Sequence, residues 1–216
     1  MKIICDRAAL VEALNLVTSV TPTRTPKPVL ACVKLTAAAG TLTLSATDLE
    51  VGLRFTTPRV EIQEQGEALV TADKLSSIVR DSPDSTITLE SDKDALHIRT
   101  KDARFKIHTQ STDEFPPLPT FAGEADFALP ANELTRLIQQ TIYATARENS
   151  RYAINGVLID RSAKQLTVVA TDGHRLAVSQ AECQTSHSDH RSAIVPTRGL
   201  NTLVRLLGTS EQIVKI

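Results

Sequence analysis

Hydrophobic positions along the chain follow two different periods, which predicts short strands alternating with amphipathic helices. In four segments a leucine is followed by apolar residues three and four positions later, as at Leu134, Leu137 and Ile138. This spacing places the apolar side chains on one helix face. The other segments alternate apolar and polar residues, as strands with one buried face do. We predict helices over 7–19, 72–80, 130–144 and 196–207, and strands over 1–6, 29–36, 40–47, 49–57, 85–90, 95–100, 103–109, 125–129, 153–160, 165–171, 174–181, 192–195 and 211–216.

Internal repetition organises these elements at two levels. Leu42–Asp48 and Leu166–Asp172 share the pattern Leu-Thr-x-x-Ala-Thr-Asp, 124 positions apart (171 − 47), which indicates a duplicated domain. The leucines that begin the four helical stripes, at positions 10, 75, 134 and 200, lie 65, 59 and 66 residues apart. The sequence therefore predicts an α+β fold of four β-α-β-β-β units with antiparallel sheets, two units to a domain.

A proline-rich segment, Asp113–Pro119, separates the two domains in this prediction. Its composition is typical of a stiff, extended linker, so we place the domains at residues 1–120 and 121–216. The last unit stops roughly twenty residues short of its counterpart Ala68–Gln110. We therefore expect the second domain to be incomplete at its C-terminus, the sequence to be a fragment, and an exposed sheet edge to result.

Composition narrows the classes of protein that fit. Hydrophobic residues make up 41% and charged residues 23% of the chain, which is ordinary for a soluble globular protein. Five Phe, two Tyr and no Trp argue against nucleic-acid binding through base stacking. Three widely spaced cysteines suggest buried thiols, and no apolar run approaches the roughly 18 residues of a membrane span. We expect a cytoplasmic protein.

The helix faces opposite the apolar stripes are more basic than the rest of the chain. Four arginines stand against two acids there, a charge of +2, whereas the whole chain carries −1. One interpretation is a surface for a polyanion held through its phosphates, and the alternative is four ordinary solvated faces. The positions are Glu12, Asn15, Asp73, Ser77, Arg80, Asn132, Arg136, Gln139, Arg198, Thr202 and Arg205. Arg24, in a proline-braced loop, and the loop Arg147–Tyr152 add further arginines.

Two sets of residues have the types needed for a catalytic or a metal site, but the sequence around them lacks the other parts of such a site. Asp172, His174 and Ser179 have the residue types of a hydrolytic triad, but no nucleophile elbow or glycine-rich oxyanion segment accompanies them. Cys183, His187, Asp189 and His190 lie in one polar loop at a spacing that could bind a metal ion. The loop lacks the second ligand pair of a zinc site. A phosphate-cradling glycine loop is also missing. We predict no enzyme activity, no metal and no cofactor.

Three motifs together resemble the bacterial DNA polymerase III beta subunit family, the sliding clamps. They are Ala-Thr-Asp-Gly-His-Arg-Leu at Ala170–Leu176, Arg151-Tyr152 followed by Asn155-Gly156, and Phe115-Pro116 closing the first domain. The resemblance runs the whole length of the chain. It implies a head-to-tail homodimeric ring of three-domain subunits, with helices lining the inner face around duplex DNA and sheets outside. The chain would contain the first domain and most of the second, without the third.

The resemblance also implies specific contact residues. Arg24 and the loop from Glu148 to Ala153 match DNA-contacting positions of the family. Glu148 and Ala153 replace a glutamine and a tyrosine, and Asp73 stands where some relatives carry a basic residue, which weakens the expected contact. With the helix-face arginines, the DNA-binding set is Arg24, Asp73, Arg80, Arg136, Arg147, Glu148, Arg151, Tyr152, Ala153, Arg198 and Arg205.

Two protein-binding surfaces follow from the same resemblance. A pocket for short peptide motifs of the replicative polymerase, the clamp loader and other partners falls on Arg151, Ile154, Thr171, Gly173, His174, Arg175 and Leu176. An apolar shelf with Arg and His edges suits Leu or Phe side chains and backbone carbonyls. The ring interface falls on Lys74, Arg99, Arg104, Phe105 and Ile107; we expect this fragment not to close a ring.

Two hypotheses of different classes therefore stand. The first is a non-catalytic processivity clamp that encircles DNA and tethers a polymerase. The second is a peptide-docking scaffold that uses the Ala170–Leu176 hairpin and has no DNA role.

Overall fold

A computed structural model describes residues 1–22, 24–120, 123–146, 156–208 and 210–216. The chain forms two compact units, Met1–Thr120 and Phe121–Ile216. Each unit buries its own hydrophobic core, so each satisfies the basic requirement of a domain.

The first unit is a nine-stranded antiparallel sheet that carries two helices. The strand order is β4-β3-β2-β6-β9-β8-β7-β1-β5, and the two helices pack against each other. Along the chain its elements are β1 (Lys2–Asp6), α1 (Arg7–Thr18), β2 (Cys32–Ala38), β3 (Thr41–Thr47), β4 (Gly52–Thr57), β5 (Val60–Glu64), β6 (Gly66–Thr71), α2 (Ala72–Asp81), β7 (Thr86–Ser91), β8 (Ala95–Arg99) and β9 (Arg104–Gln110).

Local sequence explains how α1 begins and which side it buries. The Asp6 carboxylate accepts a hydrogen bond of 2.8 Å from the backbone N–H of Ala9, which satisfies one of the unpaired donors at a helix N-terminus. Leu10, Leu14 and Val17 follow at helical spacing and are fully buried. Burial of this stripe, rather than intrinsic propensity, holds the helix on the sheet.

The predicted strands do not include β5 or β6: in β6 Ala68, Leu69 and Val70 are buried in succession and do not alternate with polar residues, whereas β5 has a weak pattern. Val60–Glu64 does alternate apolar and polar residues, but its apolar side chains Val60 and Ile62 stay half-buried. The strand lies at the sheet edge and pairs with β1 alone among the described strands. Edge strands bury little surface, so their hydrophobic pattern is weak.

The proline-rich segment, predicted as a stiff extended linker, packs onto the first unit. It begins with a 3-10 turn, Thr112–Glu114. Leu118 approaches so closely that a Cβ atom added at Gly52 would lie 2.7 Å from its Cδ2 atom. Glycine at position 52 therefore leaves room for the leucine.

The second unit repeats this plan in two separate sheets. One has the order β13-β12-β11-β14 and the other pairs β10 with β15, while the helices α3 and α4 pack against each other. Its elements are β10 (Ala128–Pro130), α3 (Ala131–Gln139), β11 (Gly156–Ser162), β12 (Gln165–Thr171), β13 (Leu176–Glu182), β14 (Arg191–Pro196), α4 (Thr197–Leu207) and β15 (Ile213–Lys215). The antiparallel α+β architecture is confirmed.

Helix α3 ends five residues earlier than its pattern predicts. Its last residue is Gln139, and the buried Thr141 hydroxyl donates to the carbonyl oxygens of Leu137 and Ile138 at 2.9 and 3.2 Å. A threonine bonded back to the helix competes with further helical turns. The chain continues as a 3-10 turn, Ile142–Ala144.

A buried arginine ties the start of the second unit to a polar loop. Arg161 is 1% exposed and donates to both carboxylate oxygens of Asp126 at 2.7 and 2.8 Å. It also donates to the His187 carbonyl oxygen at 3.1 Å. The hydrogen bonds from Arg161 lower the pKa of Asp126, as a bidentate pair should.

Two glycines of the second unit offer a test of this packing. A Cβ atom at Gly156 would lie 2.6 Å from Ile194 Cγ2 and 2.9 Å from the Val195 carbonyl oxygen, whereas one at Gly123 meets nothing within 4 Å. We expect Gly156→Ala to lower the free energy of unfolding by about 1–3 kcal/mol, the usual cost of overpacking. Gly123→Ala is the matched control and should stay within about 0.5 kcal/mol. Urea unfolding measures both, and equal stabilities would contradict the described register of β11 and β14.

Candidate partner and nucleic-acid sites

The β12–β13 hairpin ends in a loop shaped by its own side chains. Thr171 lies opposite Leu176 in the strand register, so Asp172–Arg175 make the connection. The Thr171 hydroxyl donates to the Arg175 carbonyl oxygen at 2.7 Å and accepts from the Gly173 N–H at 3.1 Å. Gly173 has φ +88°, a conformation that favours glycine.

Asp172 holds this loop together and is therefore not a free acid. Its Oδ1 atom accepts from the backbone N–H groups of His174 and Arg175, and its Oδ2 atom accepts from Arg175 Nε, each at 3.0 Å. The backbone hydrogen bond from His174 is the main cause that lowers the pKa of Asp172. Such bonds favour the charged carboxylate.

The triad residue types are not assembled into a catalytic arrangement. Ser179 is buried and its hydroxyl is 2.7 Å from Gln140 Oε1, while the Asp172 carboxylate is committed to the loop. Within the described residues, no hydrogen bond joins the side chains of Asp172, His174 and Ser179 to one another; His174 reaches Asp172 only through its backbone N–H. A nucleophile needs a base within hydrogen-bonding reach, and Ser179 lacks this arrangement.

The loop presents a cation and an apolar side chain outward. Leu176 is 67% exposed, and Arg175 donates from Nη2 to the Tyr143 carbonyl oxygen at 2.8 Å. The Arg175 guanidinium carbon also lies 5.7 Å from the centre of the Tyr143 ring. Tyr143, which the sequence analysis did not select, is 60% exposed. The sequence does mark Tyr143 in one way: it is one of only two tyrosines and comes shortly after the apolar stripe of α3.

Five of the seven residues predicted for the peptide pocket lie together in and beside this loop. They are Thr171, Gly173, His174, Arg175 and Leu176. The remaining two, Arg151 and Ile154, fall outside the described residues. An exposed leucine beside a guanidinium can take an apolar side chain and a carbonyl oxygen at once.

An apolar row continues across the outer face of the same sheet. Val178 pairs with Val169, Val169 with Leu158, and Leu158 with Ile194. Val178 and Ile194 at the two ends are 53% and 52% exposed. The row lies on the face of β13 that also carries Leu176.

The predicted DNA-facing side chains differ in their exposure to solvent. Arg24, Asp73, Arg198 and Arg205 are exposed. Arg80 is also exposed and pairs with its neighbour Asp81 at 3.3 Å. The positions Arg147, Glu148, Arg151, Tyr152 and Ala153 fall outside the described residues.

Two predicted positions on the outward helix faces need correction. Arg136 is half-buried, with Nη2 2.8 Å from Glu133 Oε2 and Nη1 2.9 Å from Gln140 Oε1. The Arg136 side chain nevertheless stays 40% exposed. Thr202 is only 7% exposed and donates its hydroxyl to the Arg198 carbonyl oxygen at 3.2 Å. A short side chain can satisfy its hydroxyl on its own helix and then be buried.

The predicted ring-interface residues do not form one exposed set. Lys74, Arg99, Arg104 and Phe105 are exposed, and Arg99 pairs with Glu90. Ile107, however, is 4% exposed and sits in the core opposite Leu96 of β8. The strand buries this side chain within the first unit, and its place in a ring interface stays a prediction.

The polar loop of the second unit uses its candidate ligands in hydrogen bonds and ion pairs. Asp189 pairs with Arg191 at 2.9 Å, and His190 Nε2 lies 2.7 Å from Asp160 Oδ1. Burial raises the pKa of the Cys183 thiol, which disfavours the thiolate that binds metals. Across the described ranges, no cluster of three or more His, Cys, Asp or Glu could hold a metal ion. Within the same ranges, no helix is long and apolar enough to span a membrane.

Comparison with known proteins gives this geometry a family. Residues 1–119 match the DNA polymerase III beta subunit, N-terminal domain, and residues 128–216 match the central domain of that subunit. The chain belongs to this family. A beta sliding clamp from Haemophilus influenzae is 37% identical over 213 residues, which are 98% of this chain and 58% of that protein. The chain therefore spans less than two thirds of the length of that relative.

Solved structures of the family have the same fold. The Bacillus subtilis DNA polymerase sliding clamp superposes with a TM-score of 0.95 at 26% identity, covering 100% of this chain and 59% of that one. A Pseudomonas aeruginosa sliding clamp bound to griselimycin gives a TM-score of 0.92 at 34% identity, covering 99% of this chain and 58% of that one. The clamp fold predicted from the sequence is confirmed.

The bonds of Asp172 lead to a test of the loop. Asp172→Ala removes three acceptor contacts, so we expect severalfold faster hydrogen exchange at the amides of His174 and Arg175. Asp172→Asn keeps one acceptor oxygen and should show a smaller increase.

Protonation should act in the same direction as these substitutions. The pKa of Asp172 is lowered in the folded loop, so the loop is stabilised above the ordinary pKa of the carboxyl group. This stabilisation is lost as pH falls through the lowered value. Exchange rates identical in all three proteins would contradict the role of Asp172.

Proposed function

We propose that this chain is part of a processivity clamp, which encircles duplex DNA and tethers the replicative polymerase during DNA replication. The observation that carries the proposal is the match of two successive family domains, in order, along residues 1–119 and 128–216. Named relatives are beta sliding clamps. In this proposal the protein is a non-catalytic accessory subunit of DNA polymerase III. It is located in the cytoplasm and acts on the nucleoid.

The proposed mechanism relies on topology more than on affinity. A closed ring cannot dissociate from DNA without opening, so its inner wall needs only enough positive charge to stay near the phosphates. Sparse arginines suit this, because each phosphate contact adds a salt-sensitive and sequence-independent attraction. Tight binding would impede sliding.

We assign the DNA contacts to the exposed helix-face and loop cations. Arg24, Arg198 and Arg205 carry most of the attraction in this proposal; Arg80, which pairs with Asp81 at 3.3 Å, contributes less, and Asp73 opposes it. Arg136 contributes little, since Glu133 is 2.8 Å from its guanidinium. The loop residues Arg147, Glu148, Arg151, Tyr152 and Ala153 complete the proposed DNA-binding set.

The hairpin loop is the proposed site for partner peptides. Leu176 supplies the apolar shelf, while His174 and Arg175 supply polar edges; Arg151 and Ile154 belong to the same proposed site. A related clamp binds griselimycin, and we propose that the corresponding ligand and the short motifs of polymerase and clamp loader use this loop. The exposed apolar shelf supports the assignment, because contiguous apolar surface often marks a binding site.

The ring interface of the proposed homodimer uses four of the predicted residues. Lys74, Arg99, Arg104 and Phe105 are exposed on the first unit. Their charge suits an acidic surface on the next subunit. Phe105, which is 42% exposed, offers an apolar contact next to Arg104.

A peptide-docking scaffold without a DNA role is the second candidate. The ion pair of Arg136 with Glu133 and the exposed shelf at Leu176 favour it, since the first weakens the DNA-facing set and the second leaves a peptide site on the hairpin. Separate tests of the two surfaces distinguish the candidates.

Charge reversal tests the DNA surface. We expect Arg198→Glu with Arg205→Glu to weaken binding to a blunt duplex and to reduce the slope of log affinity against log salt by about 2, for two phosphate contacts. Lys164→Glu with Lys215→Glu is the matched control, since these exposed lysines lie in the β11–β12 turn and on β15 rather than on a helix, and change the net charge equally. Fluorescence anisotropy between low and moderate salt gives both slopes. Equal effects of the two double variants would reject the helix-face assignment.

Substitution of the exposed leucine tests the partner site. We expect Leu176→Asp to weaken the binding of griselimycin, and of a capped hexapeptide that carries adjacent Leu and Phe, by about tenfold or more. Leu49→Asp is the control, because Leu49 is 57% exposed in the first unit and its positive φ suits aspartate. Calorimetric titration measures the affinities. Unchanged binding in Leu176→Asp would remove the loop from the partner site.

A further inference from the structure

Tyr143 is an exposed aromatic residue on a firmly anchored turn. Its neighbour Ala144 is fully buried, and the preceding Thr141 is fully buried too. Tyr143 itself remains 60% exposed. The chain has only seven Phe and Tyr residues, and this one is not used to fill a core. The turn therefore presents the ring to solvent at a defined place.

The ring and the turn hold Arg175 from one side while Asp172 holds it from the other. The Tyr143 carbonyl oxygen accepts from Nη2 at 2.8 Å, and Asp172 Oδ2 accepts from Nε at 3.0 Å. The guanidinium carbon lies 5.7 Å from the ring centre, within the range of a cation–π contact. An arginine fixed in this way loses little conformational entropy when it binds a partner.

The fixed guanidinium keeps donors for a ligand. Nη1 of Arg175 makes no hydrogen bond to any residue that the structure describes, and the side chain is 49% exposed. Its planar donors suit a carbonyl or carboxylate oxygen. The exposed part of the Tyr143 ring offers apolar surface directly beside these donors.

We propose that Tyr143 is a positioning residue of the partner site: its ring fixes the guanidinium of Arg175 so that Arg175 donates to an oxygen of a bound peptide, next to an apolar side chain. This inference rests on the proposed partner site at the hairpin loop. It adds a residue from the turn after α3 that was not among the predicted pocket residues. It also defines the peptide chemistry, an apolar side chain beside an oxygen acceptor.

Substitutions of the ring separate this role from simple packing. Tyr143→Phe keeps the ring, and Tyr143→Leu keeps apolar bulk without the ring; both keep the backbone carbonyl oxygen. We expect Tyr143→Leu to weaken binding of griselimycin and of the Leu-Phe hexapeptide by about two- to fivefold, the strength of an exposed cation–π contact. Tyr143→Phe should restore the affinity. The melting temperature of both variants should match the unaltered protein, because the side chain is largely exposed.

The NMR signal of Arg175 Nε–H gives a readout that packing alone would not move. The ring should shift this signal in the unaltered protein and in Tyr143→Phe, but not in Tyr143→Leu. In an Arg175→Met background, Tyr143→Leu should change affinity no further, since its effect passes through the guanidinium.

The outcomes distinguish the inference from the proposal on which it rests. If the unaltered chain binds and Leu176→Asp does not, but Tyr143→Leu binds as tightly as the unaltered chain, the partner site stands and the role of Tyr143 is rejected. If Tyr143→Phe loses as much affinity as Tyr143→Leu, the hydroxyl rather than the ring is responsible, and the inference is again overturned. Lack of binding by the unaltered chain overturns both.

Discussion

The burial of two helical stripes against antiparallel strands is the constraint on which each unit depends. In the second unit Leu134, Leu137 and Ile138 of α3 are fully buried, and Leu200 of α4 is 1% exposed. Such a stripe supplies most of the stability of a short helix. One side of each helix must face the sheet, so the opposite side is left for polar residues. Such residues can contact a partner without disturbing the core. In the second unit the other sheet face exposes Val178 and Ile194.

This division of faces separates the two proposed functions within one chain. In the proposed clamp, DNA contacts belong to the helix side, where exposed Arg198 and Arg205 follow the buried stripe of α4. Peptide contacts belong to the hairpin end of the sheet, where Asp172 bonds fix the loop and leave Leu176 outward. A clamp needs both at once, since it must slide on one partner while it holds another. Placing them on different elements lets either change with little cost to the fold.

Sequence periodicity predicts the elements that bury a full stripe and fails where burial is partial or local bonding decides. The four helices and the β12–β13 hairpin were predicted because their apolar residues repeat strongly. Strand β5 was missed because an edge strand buries little, and α3 was predicted too long because the Thr141 hydroxyl ends it. Ile107 was assigned to an interface from resemblance, although its register opposite Leu96 places it in the core. The Tyr143–Arg175 contact joins residues 32 positions apart, which no local pattern encodes.

Direct mapping of duplex DNA onto the chain tests the central claim that the polar sides of the helices face DNA. The measurement is a titration of the isotope-labelled chain with a blunt duplex at low salt, followed through arginine side-chain NMR signals. The account predicts that the Nε–H signals of Arg24, Arg198 and Arg205 move together and return at high salt, while backbone signals of the Val178–Ile194 row stay unchanged. Movement of that outer row, with unmoved helix arginines, would contradict it.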